Sequence, residues 1–238
     1  WDEGPDLQVR LTAGALEART AEAVLNGANL AAIGDGSSGN WELFQFREAE
    51  LIGNRTYLLR GRLRGQAGTD ALMPEAWPAG SVFVLIDERL TQIDLPSSQR
   101  RMARHFRIGP SKRGYDDPSY RHLVEAFEGH GLRPFAPVHL QAQKAGGEIR
   151  LDWIRRTRID GDDWSLPEVP LGEESERYLL RVVQEGAVLR EEEVSIPQWV
   201  YSAAMQAEDG VFGLVELRVA QVSARYGAGP FASTQVGL

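Results

Sequence analysis

Trp41-Glu42-Leu43-Phe44-Gln45-Phe46 sets apolar and polar side chains in near alternation, the period of a half-buried β-strand. One face of it belongs in a core. The alternation slips at Leu43-Phe44, which reads as a β-bulge. Outward from this stretch, residues 27–33 and 57–63 read as further strands, and residues 7–16 as a first strand or strand pair interrupted at Gly14. Residues 20–25 read as a short helical turn ahead of Asn26-Gly27. The connection Gly34-Asp35-Gly36-Ser37-Ser38-Gly39 has the composition of an exposed hairpin loop, and no helix pattern follows it, so it is not a phosphate cradle. Beyond Gly80, residues 81–86 and 90–95 read as a strand pair joined through Asp87-Glu88-Arg89. Residues 119–128 place Leu123, Val124 and Phe127 on one helical face, with Asp116-Asp117-Pro118 as a start and Gly129-His130-Gly131 as a stop. Strand signals dominate the rest, so the expected fold is mainly β, with one or two short helices in its first half.

Leu132-Arg133-Pro134-Phe135-Ala136-Pro137-Val138 carries two prolines where neither a helix nor an interior strand continues. It divides the chain into an expected β-rich domain, 1–136, and a second domain, 137–238. In the second, residues 138–143, 148–158, 176–185, 188–195, 200–208 and 214–224 read as strands with turn signals between them. About a hundred residues arranged this way suggest a β-sandwich.

The composition narrows the function classes. The chain has 238 residues, no cysteine and a formal charge of −8. Disulfides and cysteine-type zinc sites are excluded. The acidic balance repels phosphate backbones and no local run of basic residues overrides it, so nucleic acid is not the expected partner. The longest apolar stretches, such as residues 82–86, are strand-sized, and no membrane span is expected. Trp1-Asp2-Glu3-Gly4-Pro5 reads as a mid-protein linker, which makes the expected chain a piece or processed product of something longer.

Two resemblances bear on identity. Ile149-Arg150-Leu151-Asp152-Trp153-Ile154-Arg155-Arg156, the Tyr178-led strand after Glu176, and the closing Gly227-Ala228-Gly229-Pro230-Phe231-Ala232-Ser233 turn are similar to a fibronectin type III domain. Leu217 and Val219 stand where that family usually alternates aromatics. Asn26-Gly27-Ala28-Asn29, the Trp41–Phe46 stretch with Ala49-Glu50, and the run from Tyr57 through Arg60-Gly61-Arg62-Leu63-Arg64-Gly65 to Gly68-Thr69 resemble the baseplate protein of gene transfer agents. Arg133-Pro134-Phe135-Ala136-Pro137 and Trp153-Ile154-Arg155-Arg156-Thr157-Arg158 resemble the same family. The resemblance implies a module at the end of a very large tail-tip protein. Its partners would be other tail and baseplate proteins and a bacterial surface polysaccharide or receptor, and its place the tail tip of a phage-like particle made in the bacterial cytoplasm.

The residues offer little chemistry. His105, His122, His130 and His139 have no metal-type spacing, and neither a Gly-x-Ser-x-Gly elbow nor a cysteine nucleophile exists. Arg64-Gly65 and Gly68-Thr69 read as strand-ending turn geometry. Asp160-Gly161-Asp162-Asp163 lacks the ligand order of a calcium loop and reads as a solvated turn, and Glu191-Glu192-Glu193 is the other dense acidic cluster. No catalytic residue, metal or cofactor is expected. Trp77, Tyr115 and Trp164 sit in loop-like settings and are the candidates for stacking on a sugar ring, whereas Trp41 and Trp153 fall in strand patterns and belong to cores. The competing readings are a loop aromatic folded over a sandwich edge, a glycan hydrolase using paired carboxylates, and a module that only contacts other tail proteins.

Overall fold

The computed structural model describes residues 1–161, 163, 165 and 167–238. The chain is mainly β and forms two compact units, Trp1–His130 and Gly131–Leu238, dividing ahead of the two prolines.

The first unit is built on one antiparallel sheet of five strands: β1 (Leu7–Arg10), β2 (Leu30–Gly34), β3 (Trp41–Gly53), β4 (Thr56–Gln66) and β5 (Val82–Leu85), in the order β1-β4-β3-β2-β5. Val9, Ala31, Ile33, Phe44, Phe46, Tyr57, Leu59 and Leu16 form one buried cluster, and Leu11 and Trp77 pack against it. The helix α1 (Ala21–Leu25) starts at Thr20, whose hydroxyl accepts the Ala23 N–H at 3.2 Å, as an N-cap should. Gln45 turns toward this helix and donates to the carbonyls of Val24 (2.5 Å) and Ala28 (2.9 Å). The register does slip at Leu43–Gln45, as the broken alternation predicts. The extra residue lies on the partner strand: Leu43 faces Gln66 while Gln45 faces Leu63, and Gly65 takes the left-handed φ of 63° that the bulge needs.

Three expectations for this unit are corrected. Residues 90–95 form no strand; β5 pairs with β2 instead, because that register sets Phe83 and Leu85 beside Ile33 and Ala31, while Leu90 and Ile93 stay exposed. The first segment is a strand only over Leu7–Arg10. Residues 119–128 are not a helix. Asp117 accepts the Ser119 N–H (2.9 Å) and hydroxyl (2.6 Å), which closes a turn rather than capping a helix. The chain then runs as β7 (Arg121–Glu125), paired with β6 (Arg104–Ile108) in a separate two-stranded sheet.

The second unit is a β-sandwich. β8 (Val138–Ala145), β9 (Glu148–Ile154) and β12 (Gln198–Tyr201) form one sheet in the order β12-β9-β8. β10 (Tyr178–Gln184), β11 (Ala187–Val194), β13 (Leu214–Ser223) and β15 (Ala232–Gly237) form the other, in the order β11-β10-β13-β15, with the short β14 (Gly227–Ala228) at the end of β13. Alternate residues of both sheets meet in one core: Ile149, Leu151, Trp153, Trp199 and Tyr201 from the first, Tyr178, Leu180, Val182, Val215, Leu217 and Val219 from the second. Trp153 meets Tyr178 edge to face at 5.1 Å. The expected strand over residues 200–208 is corrected: after β12 the Ser202 hydroxyl accepts the Met205 N–H and starts α2 (Ala203–Asp209), which Gly210 ends at φ 64°. Arg190 on β11 grips Asp209 through Nε (2.8 Å) and Nη2 (2.9 Å), and the Tyr201 hydroxyl adds a bond of 2.7 Å.

Burial alone would raise the Asp209 pKa, but the hydrogen bonds from Arg190 and Tyr201 and the Arg190 charge outweigh it, and the value falls below the ordinary 3.8. A carboxylate depressed in the folded state contributes stability that is whole above its unfolded value and is lost as pH falls through the folded one. Asp209→Asn should therefore destabilise at pH 7, with a deficit that shrinks in urea melts taken progressively below pH 4. A deficit independent of pH would refute the linkage. Trp153→Ala should cost about 3–5 kcal/mol in the same melts, as other large core truncations do, and a loss under about 1 kcal/mol would remove it from the core.

Candidate functional site

Each candidate aromatic meets a different fate. Trp77 packs against the first core, and its indole N–H donates to Glu42 at 2.6 Å. Glu42 on β3 is only 1% exposed and accepts from Arg64 Nε (2.9 Å), Arg64 Nη2 (2.8 Å) and the Gly65 N–H (3.2 Å) as well. The Glu42 hydrogen bond, opposed by burial, holds the Arg64 guanidinium above its ordinary pKa. Arg64 also donates to the carbonyls of Pro74 and Glu75, while Thr69 receives the Leu43 N–H and donates to Gln66. This confirms Gly65 and Thr69 as turn geometry: a Cβ on Gly65 would lie 2.8 Å from the Asp70 backbone. A cleft of about 480 Å³ opens beside Trp77, lined by Pro5, Asp6, Leu7, Arg62 and Arg64. Its arginines are already engaged, since Arg62 binds Asp2 (2.9 Å) and the Pro5 carbonyl (2.9 Å). Both arginines of the cleft are thus tied to the protein's own groups.

Tyr115 lies in the 109–120 loop joining β6 to β7 and is 72% exposed. Its backbone is braced from within. The Tyr120 hydroxyl donates to the carbonyls of Pro110 (2.9 Å) and Arg113 (3.3 Å), and the Tyr120 ring fills the space where a Cβ on Gly109 would stand, 2.5 Å away. Arg113 pairs with Asp117 at 3.0 Å, and hydrogen bonds from Ser119, then from Arg113, hold the Asp117 carboxyl below its usual range. Tyr115 meets Tyr120 edge to face at 5.5 Å, and Arg107 donates to the Tyr115 carbonyl at 2.8 Å. One phenol face is left to solvent on a loop whose shape is already set.

On the strands below, His105, Arg107, His122 and Val124 share one open face, all exposed. His105 Nδ1 and His122 Nε2 are 2.9 Å apart, while the nearly parallel ring centres are 5.1 Å apart. The gap between those two lengths is about two ring radii, so the imidazoles meet edge to edge through one shared hydrogen bond rather than face on face. Sequence spacing could not show this pair, because strand pairing alone creates it. Among the described residues no group of three or more His, Asp or Glu could complete a metal site.

Trp164 and Asp162 lie outside the described residues. Asp163 accepts from Ser165 N (2.8 Å) and Oγ (2.6 Å), the bonding of a turn. Glu191 and Glu193 form exposed ion pairs with Arg181 and Arg177, and Glu192 accepts from the Trp199 indole at 3.2 Å. Asp163, Glu191, Glu192 and Glu193 are thus each engaged locally. No helix among the described residues is long and apolar enough to cross a membrane.

Residues 1–84 match the model of the family described as Rcc01698-like, C-terminal. No curated protein matches the chain. A solved structure of the rat CD45 extracellular region, domains d3-d4, is similar at 9% identity and a TM-score of 0.34, covering 80% of this chain and 94% of that one. A likeness that slight bears on neither fold nor function.

Glu42→Ala would strand Arg64 in a nearly closed site, and breaking such a pair costs about 3–5 kcal/mol. Urea denaturation should show that loss together with a change in Trp77 fluorescence. Wild-type stability in the variant would mean that the four bonds to Glu42 hold nothing together.

Proposed function

We propose that this chain is a non-catalytic attachment module of a phage-like tail tip of the gene transfer agent type, meeting a bacterial surface glycan through the 109–120 loop. The observation that carries the reading is Tyr115: an aromatic face held open to solvent by a loop that spends its own hydrogen bonds on keeping shape. Pre-ordering of this kind lowers the entropic cost of binding, which is where weak sugar contacts usually lose their affinity. The sequence resemblance across most of the chain supports the tail-tip setting, and the segments between Asn26 and Thr69 that carry its first part fall within the matched residues 1–84. The second unit, a sandwich of three strands on four, supports the fibronectin-like resemblance and is suited to a spacer or presentation role within a chain of tail proteins. The local pairing of the densest carboxylate clusters supports binding over hydrolysis.

The test is retention of the purified chain by host cells in a pelleting assay, with and without their capsule. Retention should follow the capsule, and Tyr115→Ala should weaken it about tenfold, the worth of roughly 1.4 kcal/mol. Gly109→Ala, which forces the Tyr120 ring aside, should weaken it comparably although it touches no ligand. Retention unaffected by capsule removal would point to protein contacts within the tail instead.

A further inference from the structure

The β6–β7 hairpin carries a charge unlike that of the rest of the chain. Residues 100–122 hold seven Lys and Arg against two Asp, in a protein with 26 Lys and Arg against 34 Asp and Glu. The cations are Arg100, Arg101, Arg104, Arg107, Lys112, Arg113 and Arg121. Apart from Arg100-Arg101 and Lys112-Arg113 they stand singly, so no basic run is visible, and it is the hairpin that gathers them. Some are neutralised: Arg101 by Glu128 at 2.7 Å and Arg113 by Asp117. Among the described residues Arg104, Arg107, Lys112 and Arg121 have no carboxylate in ion-pairing range, although Arg104 sits directly across from Glu125 in the strand register. Arg104 is half-buried with its Nε out of solvent, which leaves Arg107, Lys112 and Arg121 exposed and open to an anion from outside.

The backbone makes the same point. β6 and β7 pair with each other and with no other strand, and a two-stranded sheet is marginal in water without something packed against it. Phe106 and Phe127 meet edge to face at 5.9 Å on the more covered side, while the His105, Arg107, His122 and Val124 side lies bare. On that bare side Arg107 and the paired imidazole edges, with Lys112 and the Tyr115 ring in the adjoining loop, offer donors for carboxylates and hydroxyls and an apolar face for a pyranose, while Arg121 adds its charge from the Phe106 side.

We infer that this hairpin binds an acidic polysaccharide, a glycan bearing carboxylates spaced along its sugar rings. The inference rests on the attachment reading above and names the class of its ligand. Spacing of charge decides between polyanions. Duplex nucleic acid carries a charge about every 1.7 Å and would bring many phosphates within reach of the acidic remainder of the chain, since screening extends over about 8 Å. A uronate polymer carries at most one charge per ring and can lay its carboxylates on the hairpin alone.

The test uses the full chain, immobilised, against polygalacturonate, dextran and a single-stranded oligonucleotide. Polygalacturonate should bind with an affinity that falls as salt rises, and dextran should bind at least about tenfold more weakly. Combined Arg107→Gln, Lys112→Gln and Arg121→Gln should lose about tenfold toward polygalacturonate, because exposed ion pairs each carry a factor of about two to five. Arg10→Gln with Arg19→Gln and Lys144→Gln removes the same charge elsewhere and should change affinity less than about threefold. Dextran bound as tightly as polygalacturonate, an oligonucleotide bound more tightly, or a hairpin variant no weaker than the control would each overturn the inference. If polygalacturonate fails while capsule-bearing cells still retain the chain through Tyr115, the acidic class falls and the attachment reading stands; if cells fail as well, both fall.

Discussion

The first unit depends on a carboxylate that has left water. Glu42 receives four hydrogen bonds, from two guanidinium nitrogens, a backbone amide and an indole, and each comes from a different constraint. The bulge at Gly65 turns an amide away from the strand ladder, and Glu42 takes it. Arg64 then reaches onward to Pro74 and Glu75, fixing the chain beyond the sheet, and Trp77 is pinned where it closes the core. A buried ion pair adds little net stability over an apolar substitute, but it fits one arrangement only. That selectivity suits a strand pair whose register slips by one residue, because the competing unbulged register would leave the carboxylate unmet.

The second unit reaches order by another route. Its two sheets alternate over most of their length, with register shifts at Val138–Gln141 and Val182–Val183, and the core they share is made of aromatics and branched aliphatics. Polar specificity appears at the rim, where Arg190, Asp209 and Tyr201 fasten the short helix to two strands. The charged groups of both units are thus spent mostly on internal geometry, while among the described residues the hairpin bearing Tyr115 gathers Arg107, Lys112 and Arg121 without an ion pair.

Most strands were legible because their alternation is local. The β3 stretch showed even the position of its bulge, although not that the extra residue would fall on β4, since register is a property of two strands and no single one displays it. Residues 119–128 misled because Leu123, Val124 and Phe127 fit a helical face as well as a strand, and the choice was made by Asp117 turning the chain and by β6 waiting to pair. The helix at Ala203–Asp209 was readable in hindsight from Ser202 and Gly210, but the apolar residues before it carried the strand pattern too far. Of the candidate aromatics, Tyr115 and Trp77 looked equivalent in sequence. What separates them is a buried acid 35 residues away from Trp77 in the chain, which no local window contains. The basic hairpin was hidden in the same way, by cations standing singly or in adjacent pairs within an acidic whole.

The 109–120 loop divides its labour by residue. Gly109, Asp117 and Tyr120 hold the conformation, while Lys112 is exposed and Tyr115, 72% exposed, makes its one ring contact edge to face with Tyr120. Exchange at these exposed positions would therefore carry almost no folding cost. Under the proposed attachment reading, what the loop recognises could change one substitution at a time, with the scaffold left as it stands.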